Sequence, residues 1–285
     1  LMLAQWMTTG ECERDTSALD IARYGRWIGP GYTLPKVVEN YTTRFSIPYP
    51  NEEKPAARPL RRTPMYDVFD AMGAVWGQHY GLEVVNYFAE AGEPRLETPS
   101  FRRSNAFGAT GRECRAVREG VGIGEIHNFG KYRVTGPGAR DWLDRIMAGR
   151  IPQPGRLALS PMLSSSGRII GDFTVACLDK EEFRLTASYG AQAYHLRWFD
   201  QNMTSDVELT NMSDRWTGFQ IAGPKAKALL QACTRADISE MKFLDVRPLT
   251  LGLIETLVQR VSYTGDLGYE IYCDPLEQRS LWDHL

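Results

Sequence analysis

Two lone carboxylates in apolar, strand-like segments are the side chains of this sequence best placed to do chemistry. Asp172 lies in SSSGRIIGDFTV, residues 164–175, where three serines and a glycine predict a turn that leads into a strand. In such a strand a carboxylate either points to water or is buried, and a buried one needs hydrogen-bond donors or a shifted pKa. This segment alone leaves both alternatives open: a wetted edge-strand aspartate, or a group that binds or exchanges protons.

Glu270 belongs to a second such segment, YTGDLGYEIYC, residues 263–273. Two glycines flank its Asp-Leu pair, which indicates a tight turn or the close approach of a ligand. Taken alone, the segment fits an ordinary hairpin better than a binding site. If Asp172 and Glu270 share a pocket wall with Tyr263, they suit a flat heteroaromatic ligand, which needs aromatic faces and a few polar groups. A carboxylate that accepts two N–H bonds from an amino-heterocycle makes a strong, directional contact.

Composition excludes several other functions. The 285 residues are enough for about two domains. A net charge of -2 gives no basic field for nucleic acid, and no apolar run reaches the roughly 20 residues of a membrane helix. The five cysteines and four histidines are scattered, so we expect no disulfide framework, no metal site and a reducing compartment. Phosphate loops of the GxGxxG and GxxxxGK[ST] types are missing from the sequence.

Apolar periodicity predicts the elements that must position these residues. Residues 46–64 contain five prolines in nineteen positions and predict an extended connector, whose arginines are either paired with acids or bind a phosphate. A domain boundary is expected at residues 90–99, and His195 is expected on a helix surface. Helices are predicted at residues 35–45, 64–81, 113–121 and 194–200, and strands at residues 157–163, 168–177, 182–187 and 253–262.

An internal echo suggests two related lobes. Residues 131–138 read KYRVTGPG and residues 218–224 read GFQIAGP, and each is followed by a helical pattern. Both predict a strand that ends at Gly-Pro and starts a helix, because proline is well tolerated in a first helical turn. A coincidence of this common arrangement is the alternative.

The chain resembles flavoproteins of the dimethylglycine dehydrogenase and sarcosine dehydrogenase type. The resemblance covers essentially the whole chain and rests on the two carboxylate segments, on RRSNAFGATGRECRAVREGVGIGEI and TGPGA, and on RFSIPYPNEEKPAARPLRRTPMYD. Those enzymes join an FAD-dependent amine-oxidising half to a half that resembles the aminomethyltransferase, or T-protein, of glycine cleavage.

The resemblance implies an α+β fold in which T-protein-like folate-binding lobes, with mixed or antiparallel sheets and peripheral helices, follow a small connecting domain. Residues 1–24 would be the tail of the FAD-dependent oxidoreductase domain, residues 25–89 its central connecting domain, and residues 90–285 the folate-binding domain. The C-terminal barrel of that domain is expected beyond Leu285.

The resemblance also assigns roles to single residues. Asp172 would be catalytic, orienting the reacting amine of tetrahydrofolate and assisting its deprotonation. Glu270 would bind the pterin edge, with Tyr263 packed nearby. The sequence departs from many T-proteins at Gly171, where they carry a first aspartate, and at Asp266, where glutamate is common. Further pocket-lining positions are Met162, Thr174 and Phe129.

The expected function is capture of a one-carbon iminium, formed from an N-methyl amine, as 5,10-methylenetetrahydrofolate. Tetrahydrofolate and FAD are the implied cofactors, with FAD bound mainly outside this chain. The implied partners are a small methylated amine and an FAD half, either a subunit or the rest of the polypeptide. A bacterial cytoplasm or a mitochondrial matrix is the expected location. The alternatives are an aminomethyltransferase, a folate-dependent demethylase or methyltransferase, and a non-catalytic folate-binding fragment.

Overall fold

A computed structural model describes residues 1–10, 16, 19–25 and 28–285. The chain divides into two compact units. Unit one comprises Leu1–Trp27 and Phe129–Ser213, and unit two comprises Ile28–Asn128 and Asp214–Leu285. Cys12 and part of the predicted segment 1–24 lie outside the described residues.

The structure alternates short helices with antiparallel strands, which confirms the α+β fold class. The helices are α1 (Met2–Thr9), α2 (Pro30–Thr42), α3 (Tyr66–Ala71), α4 (Ala106–Glu119), α5 (Ala139–Ile146), α6 (Gln192–Asn202), α7 (Ala226–Cys233) and α8 (Gln278–His284). The strands are β1 (Ala74–His79), β2 (Leu82–Phe88), β3 (Gly122–Glu125), β4 (Phe129–Thr135), β5 (Arg156–Leu163), β6 (Ile169–Asp179), β7 (Glu182–Ser188), β8 (Glu208–Asn211), β9 (Thr217–Ala222), β10 (Val246–Leu251), β11 (Ile254–Gln259) and β12 (Gly268–Cys273). Short 3-10 helices span Ile21–Tyr24 and Tyr189–Ala191.

Unit one is built on a five-stranded sheet in the order β5-β6-β7-β4-β8. All of its neighbouring strands pair antiparallel. Alternate residues of each strand face one core, as Phe173 and Val175 do in β6. Helix α5 packs Trp142 and Leu143 into the same core. The opposite face of this sheet carries polar residues, Asp172 and Thr174 among them, together with some apolar ones such as Leu159.

Unit two contains a second five-stranded antiparallel sheet, in the order β10-β11-β12-β9-β3, and the separate hairpin β1-β2. Tyr269 and Ile271 of β12 face the core, together with Leu230 of α7 and Leu281 of α8. Because successive residues of a strand point to opposite faces, Glu270 lies on the other side of the sheet.

The echo between residues 131–138 and 218–224 is confirmed as structure. In each copy an inner strand, β4 or β9, ends at Gly-Pro and is followed by a helix, α5 or α7. Each copy lies in the five-stranded sheet of its own unit. The two lobes therefore share the same strand-turn-helix building block.

The predicted helix over residues 64–81 is wrong in its second half. Helix α3 ends at Ala71, and β1 carries Val75 and Trp76. Gly73 has φ +93°, which interrupts the helix, and the β-branched and aromatic residues that follow pair with β2. The predicted strands of residues 157–187 agree with β5, β6 and β7 to within two residues.

Two further expectations are resolved. The connector arginines are paired with acids: Arg58 bonds to Glu83, Arg61 to Asp214, and Arg62 lies 3.6 Å from Asp67. The prediction that His195 lies on a helix surface is wrong, because only 1% of the residue is exposed. It lies on the side of α6 that packs against the sheet of unit one.

Candidate functional site

Asp172 is exposed in the first half of β6. Its neighbours in sequence, Gly171 and Phe173, lie on the core face, so alternation directs the carboxylate to the opposite face. Its cross-strand partner on β5 is Pro161. Of the two alternatives that the sequence left open, the structure shows the first, an aspartate that points to solvent. Its exposed carboxylate is accessible to a ligand.

Two of the predicted pocket residues share the face of Asp172, and a third does not. Thr174 follows two residues later on β6 and pairs with Thr186 of β7. Phe129 is half-buried at the start of β4. It pairs with Ser188 of β7, two residues from Thr186, so Phe129 and Thr186 lie on the same face of the sheet. Met162, by contrast, is fully buried in the core of unit one, opposite Gly171.

Cationic side chains, which the sequence analysis did not single out, lie on the same polar face. Lys131 of β4 is directly across from Thr186 and has no exposed surface. Arg184 of β7 is largely buried, and this burial lowers its pKa to about 10 although Glu182 opposes the shift. The alternation of KYRV, with Tyr132 and Val134 in the core, is the sequence signal that could have placed Lys131 on this face.

His195 lies behind the strand that carries Asp172. Its Nδ1 is 3.3 Å from the hydroxyl of Tyr132, and its ring centroid is 4.7 Å from that of Phe173. Burial lowers the pKa of His195 to about 4, although the Ile170 main chain favours the protonated ring. Burial also raises the pKa of Tyr132. The imidazole is therefore neutral near pH 7.

Glu270 occupies the middle of a polar row across the sheet of unit two. It is half-buried and lies between Gln259 of β11 and Gln220 of β9. The hydroxyl of Tyr272 donates to Glu270 Oε2 at 2.8 Å. The sequence analysis singled out Tyr263 as the nearby tyrosine, but Tyr263 is 83% exposed on the loop before β12.

This row is rich in hydrogen-bond acceptors. In the described residues, the Oε1 atoms of Gln220 and Gln259 are buried without a hydrogen-bond partner. A carboxylate between two such amides suits a ligand edge that presents several N–H donors, since each unpaired buried acceptor costs free energy. The row therefore fits the edge of an amino-heterocycle such as a pterin.

The loop before β12 takes a defined course. The Ser262 hydroxyl donates to the main-chain oxygen of Asp266 at 2.5 Å, and Gly265 is its turn glycine. The carboxylate of Asp266 lies 3.9 Å from Arg118 of α4. The side chain of Asp266 therefore makes a long ion pair in this structure.

The two carboxylates belong to different units, Asp172 to unit one and Glu270 to unit two. No group of three or more His, Cys, Asp or Glu side chains suited to a metal ion occurs in the described ranges. Within the same ranges, every helix is too short or too polar to cross a membrane.

Comparison with known proteins identifies two family matches. Residues 65–285 match the family described as GCVT N-terminal domain, and residues 9–63 match that described as FAD dependent oxidoreductase central domain. The mitochondrial dimethylglycine dehydrogenase of Rattus norvegicus is 33% identical over 289 residues, covering 99% of this chain and 34% of the relative. The aminomethyltransferase of Natranaerobius thermophilus is 30% identical over 176 residues, covering 61% of this chain and 48% of the relative.

Among solved structures, the chain is similar to glycine cleavage system aminomethyltransferase T from Bartonella henselae. The TM-score is 0.66 at 18% identity, over 79% of this chain and 56% of that one. At this identity the likeness shows the fold alone. The chain spans about a third of the length of the dimethylglycine dehydrogenase that it matches.

Proposed function

The chain belongs to the GCVT N-terminal domain family, and from this premise we propose that it is the tetrahydrofolate-binding part of a flavin-linked enzyme that demethylates a small amine. The observation that carries the proposal is the acceptor-rich row of Gln259, Glu270 and Gln220, which suits the donor-rich edge of a pterin. The FAD dependent oxidoreductase match at residues 9–63 supports the link to a flavin.

Tetrahydrofolate would supply the nucleophilic amine that takes up a one-carbon unit. Glu270 would hold the heterocycle by accepting N–H bonds, with its carboxylate oriented by Tyr272. Asp172 would accept the proton of the attacking amine or stabilise the positive charge that develops there. General base assistance of this kind contributes about 10²–10⁴-fold to a rate. Thr174 and Phe129 would line the face beside Asp172.

The substrate class is a proposal drawn from the relatives. A dimethylglycine-like or sarcosine-like amine would be oxidised in an FAD-bearing half, held in the same polypeptide or in a partner subunit. Retaining the one-carbon product close to the folate raises its effective concentration and limits its loss to water. The division into residues 1–24, 25–89 and 90–285 remains part of this proposal, as does a bacterial cytoplasm or a mitochondrial matrix as location.

Replacing Asp172 tests the catalytic assignment. In the complete flavin-bearing enzyme, Asp172→Ala should leave amine-dependent flavin reduction unchanged. Formation of the folate product should fall by about 10²–10⁴-fold because the proton acceptor is lost. Asp144→Ala, at an exposed carboxylate of α5, is the matched control and should change neither rate. Undiminished folate product in Asp172→Ala would rule out the assignment.

Replacing Glu270 tests the binding assignment separately. Calorimetric titration with 5-formyltetrahydrofolate should show a loss of affinity of about 10- to 100-fold for Glu270→Ala, as expected when charge-assisted hydrogen bonds are removed. Glu255→Ala, at an exposed carboxylate of β11, should bind like the wild type. Equal affinities of all three proteins would contradict the role of Glu270. A wild-type protein that binds no reduced folate would contradict the proposed function itself.

A further inference from the structure

The part of β6 that carries Asp172 is paired with a described strand on one side only. Pairing of β6 with β7 begins only at Thr174, so residues 169–173 have a strand partner on one side, β5. On that side Asp172 faces Pro161, which has no N–H to donate. The carbonyl of Pro161 accepts instead from the Ala148 N–H at 2.9 Å. Among the strands that the structure describes, β5 alone therefore pairs with the segment around Asp172.

The imidazole of His195 fills the space directly beneath this peptide. A β-carbon at Gly171 would lie 2.5 Å from His195 Nε2 and 2.7 Å from Phe173 Cε2, so the ring packs onto the main chain itself. Nε2 is buried and makes no well-formed hydrogen bond, yet the Ile170 main chain is close enough to interact with the ring. The other ring nitrogen is held at the hydroxyl of Tyr132.

We infer that His195 is a positioning residue for Asp172, whose ring braces the Ile170–Gly171 main chain from the core side. Asp172 follows immediately and points to the opposite face, so a shift of the braced peptide moves the carboxylate. The inference rests on the proposed role of Asp172 in handling folate. It assigns His195 no contact with the ligand.

The same contact explains the glycine before Asp172. The resemblance puts a first aspartate at this position in many T-proteins, but a side chain at residue 171 would overlap the His195 ring here. Gly171 and His195 therefore form a coupled pair, in which the absence of a side chain at one position makes room for the ring at the other. Such pairs show non-additive effects when both members are changed.

The first experiment measures formation of the folate product by the complete flavin-bearing enzyme, well below the unfolding midpoint of every variant, because the proposed role of Asp172 is proton transfer. His195→Phe keeps a ring but removes the Nδ1 that contacts the Tyr132 hydroxyl, and we expect folate-product formation to fall about fivefold, the equivalent of one lost hydrogen bond, with flavin reduction unchanged. His195→Gln retains a polar group that can contact Tyr132 and should recover most of that loss. Leu143→Ala removes a fully buried side chain of the same core and should destabilise the protein without changing folate-product formation.

The second experiment is a thermal-unfolding cycle of Gly171→Ala, His195→Ala and the double variant. Gly171→Ala should lower the midpoint clearly in the wild type and much less in His195→Ala, where the Phe173 ring can move into the vacated space. Additive shifts would show that the two residues are not coupled.

The outcomes separate this inference from the proposed function. If the wild type forms the folate product but His195→Phe forms it at the same rate, the positioning role is wrong and the proposed function stands. The same holds if Leu143→Ala loses as much of this rate as His195→Phe, because the effect would then follow stability alone. If the wild type binds no reduced folate, the proposed function fails as well.

Discussion

Asp172 and Glu270 owe their placement to the residues beside them. Glu270 lies between the core residues Tyr269 and Ile271, and Asp172 precedes the core residue Phe173, so each carboxylate is turned away from the core of its sheet. The neighbours that make each carboxylate a candidate site come from other parts of the chain or sheet. Glu270 lies beside Gln220, Gln259 and Tyr272, and the buried His195 lies behind Asp172. A carboxylate in a strand becomes a candidate site only with such neighbours.

The buried imidazole predicts a pH dependence of stability. The pKa of His195 is about 4 in the folded protein against an ordinary value of 6.5. As the pH falls from 6.5 towards 4, the unfolded chain binds a proton that the folded chain does not, so the free energy of unfolding decreases. The loss attributable to His195 approaches about 3 kcal/mol and levels off below pH 4.

Chemical denaturation between pH 7 and pH 4 checks this prediction. His195→Phe cannot take up the proton, so the stability difference between wild type and variant should shift in favour of the variant as the pH falls. The carboxylates titrate in both proteins, so their contribution cancels in the difference between the two free energies of unfolding. Parallel stability profiles for the two proteins would contradict a depressed pKa at His195.

At the scale of elements, the switch from α3 to β1 shows how one residue divides a continuous apolar pattern. The spacing of Tyr66, Phe69 and Val75 fits a single helix, yet Gly73 lies between the helix and a strand that pairs with β2. Pairing with β2 depends on residues that lie further along the chain. Helical periodicity alone therefore extended the predicted helix too far.

Gly73→Ala tests this boundary. At φ +93° an alanine is strained by about 1–2 kcal/mol, and its β-carbon would lie 2.7 Å from the Ala89 carbonyl oxygen, so we expect a loss of stability of at least that size. Gly31→Ala in α2 is the matched control, because nothing lies within 4 Å of its β-carbon position. Alanine there should be neutral or stabilising by up to about 1 kcal/mol. The denaturation midpoints of the two variants test this prediction. Equal midpoints would refute the assignment of Gly73 as the boundary between α3 and β1.

At the scale of the whole molecule, a buried ion pair within unit two joins the two segments that match different families. Arg58 lies in the segment matched by the oxidoreductase central domain, and Glu83 lies in the GCVT match. Arg58 Nε and Nη2 donate to the two carboxylate oxygens at 3.0 and 2.5 Å. Burial opposes the charge of Arg58, but the hydrogen bond and charge of Glu83 outweigh it and raise the pKa of Arg58.

Breaking this pair should destabilise the protein strongly. Glu83→Gln leaves Glu53, 3.2 Å from Arg58 Nη1, as the remaining counter-charge of the guanidinium. Removing one partner of a fully buried pair typically costs about 3–5 kcal/mol, so we expect a loss of up to that size. Asp283→Asn disrupts the exposed pair with Arg279, where both side chains are more than half exposed, and should cost no more than about 1 kcal/mol. Urea denaturation of both variants distinguishes the two sites. Similar losses would mean that Arg58 and Glu83 contribute no more than a surface pair.

The sequence by itself determined the features that depend on local pattern. The alternation around Asp172 and Glu270, the two Gly-Pro turns of the echo and the strands of residues 157–187 all follow from near neighbours, and the structure agrees with them. The α+β class and the family resemblance rest on the same motifs, which the comparisons match over nearly the whole chain.

Only the tertiary structure decided which residues meet across strands and between helix and sheet. It placed Met162 in the core instead of beside Asp172, buried His195 under Gly171, and put Gln220 and Gln259 on either side of Glu270. Strand register and helix docking are set by contacts between residues far apart in the chain, and local periodicity carries no information about them.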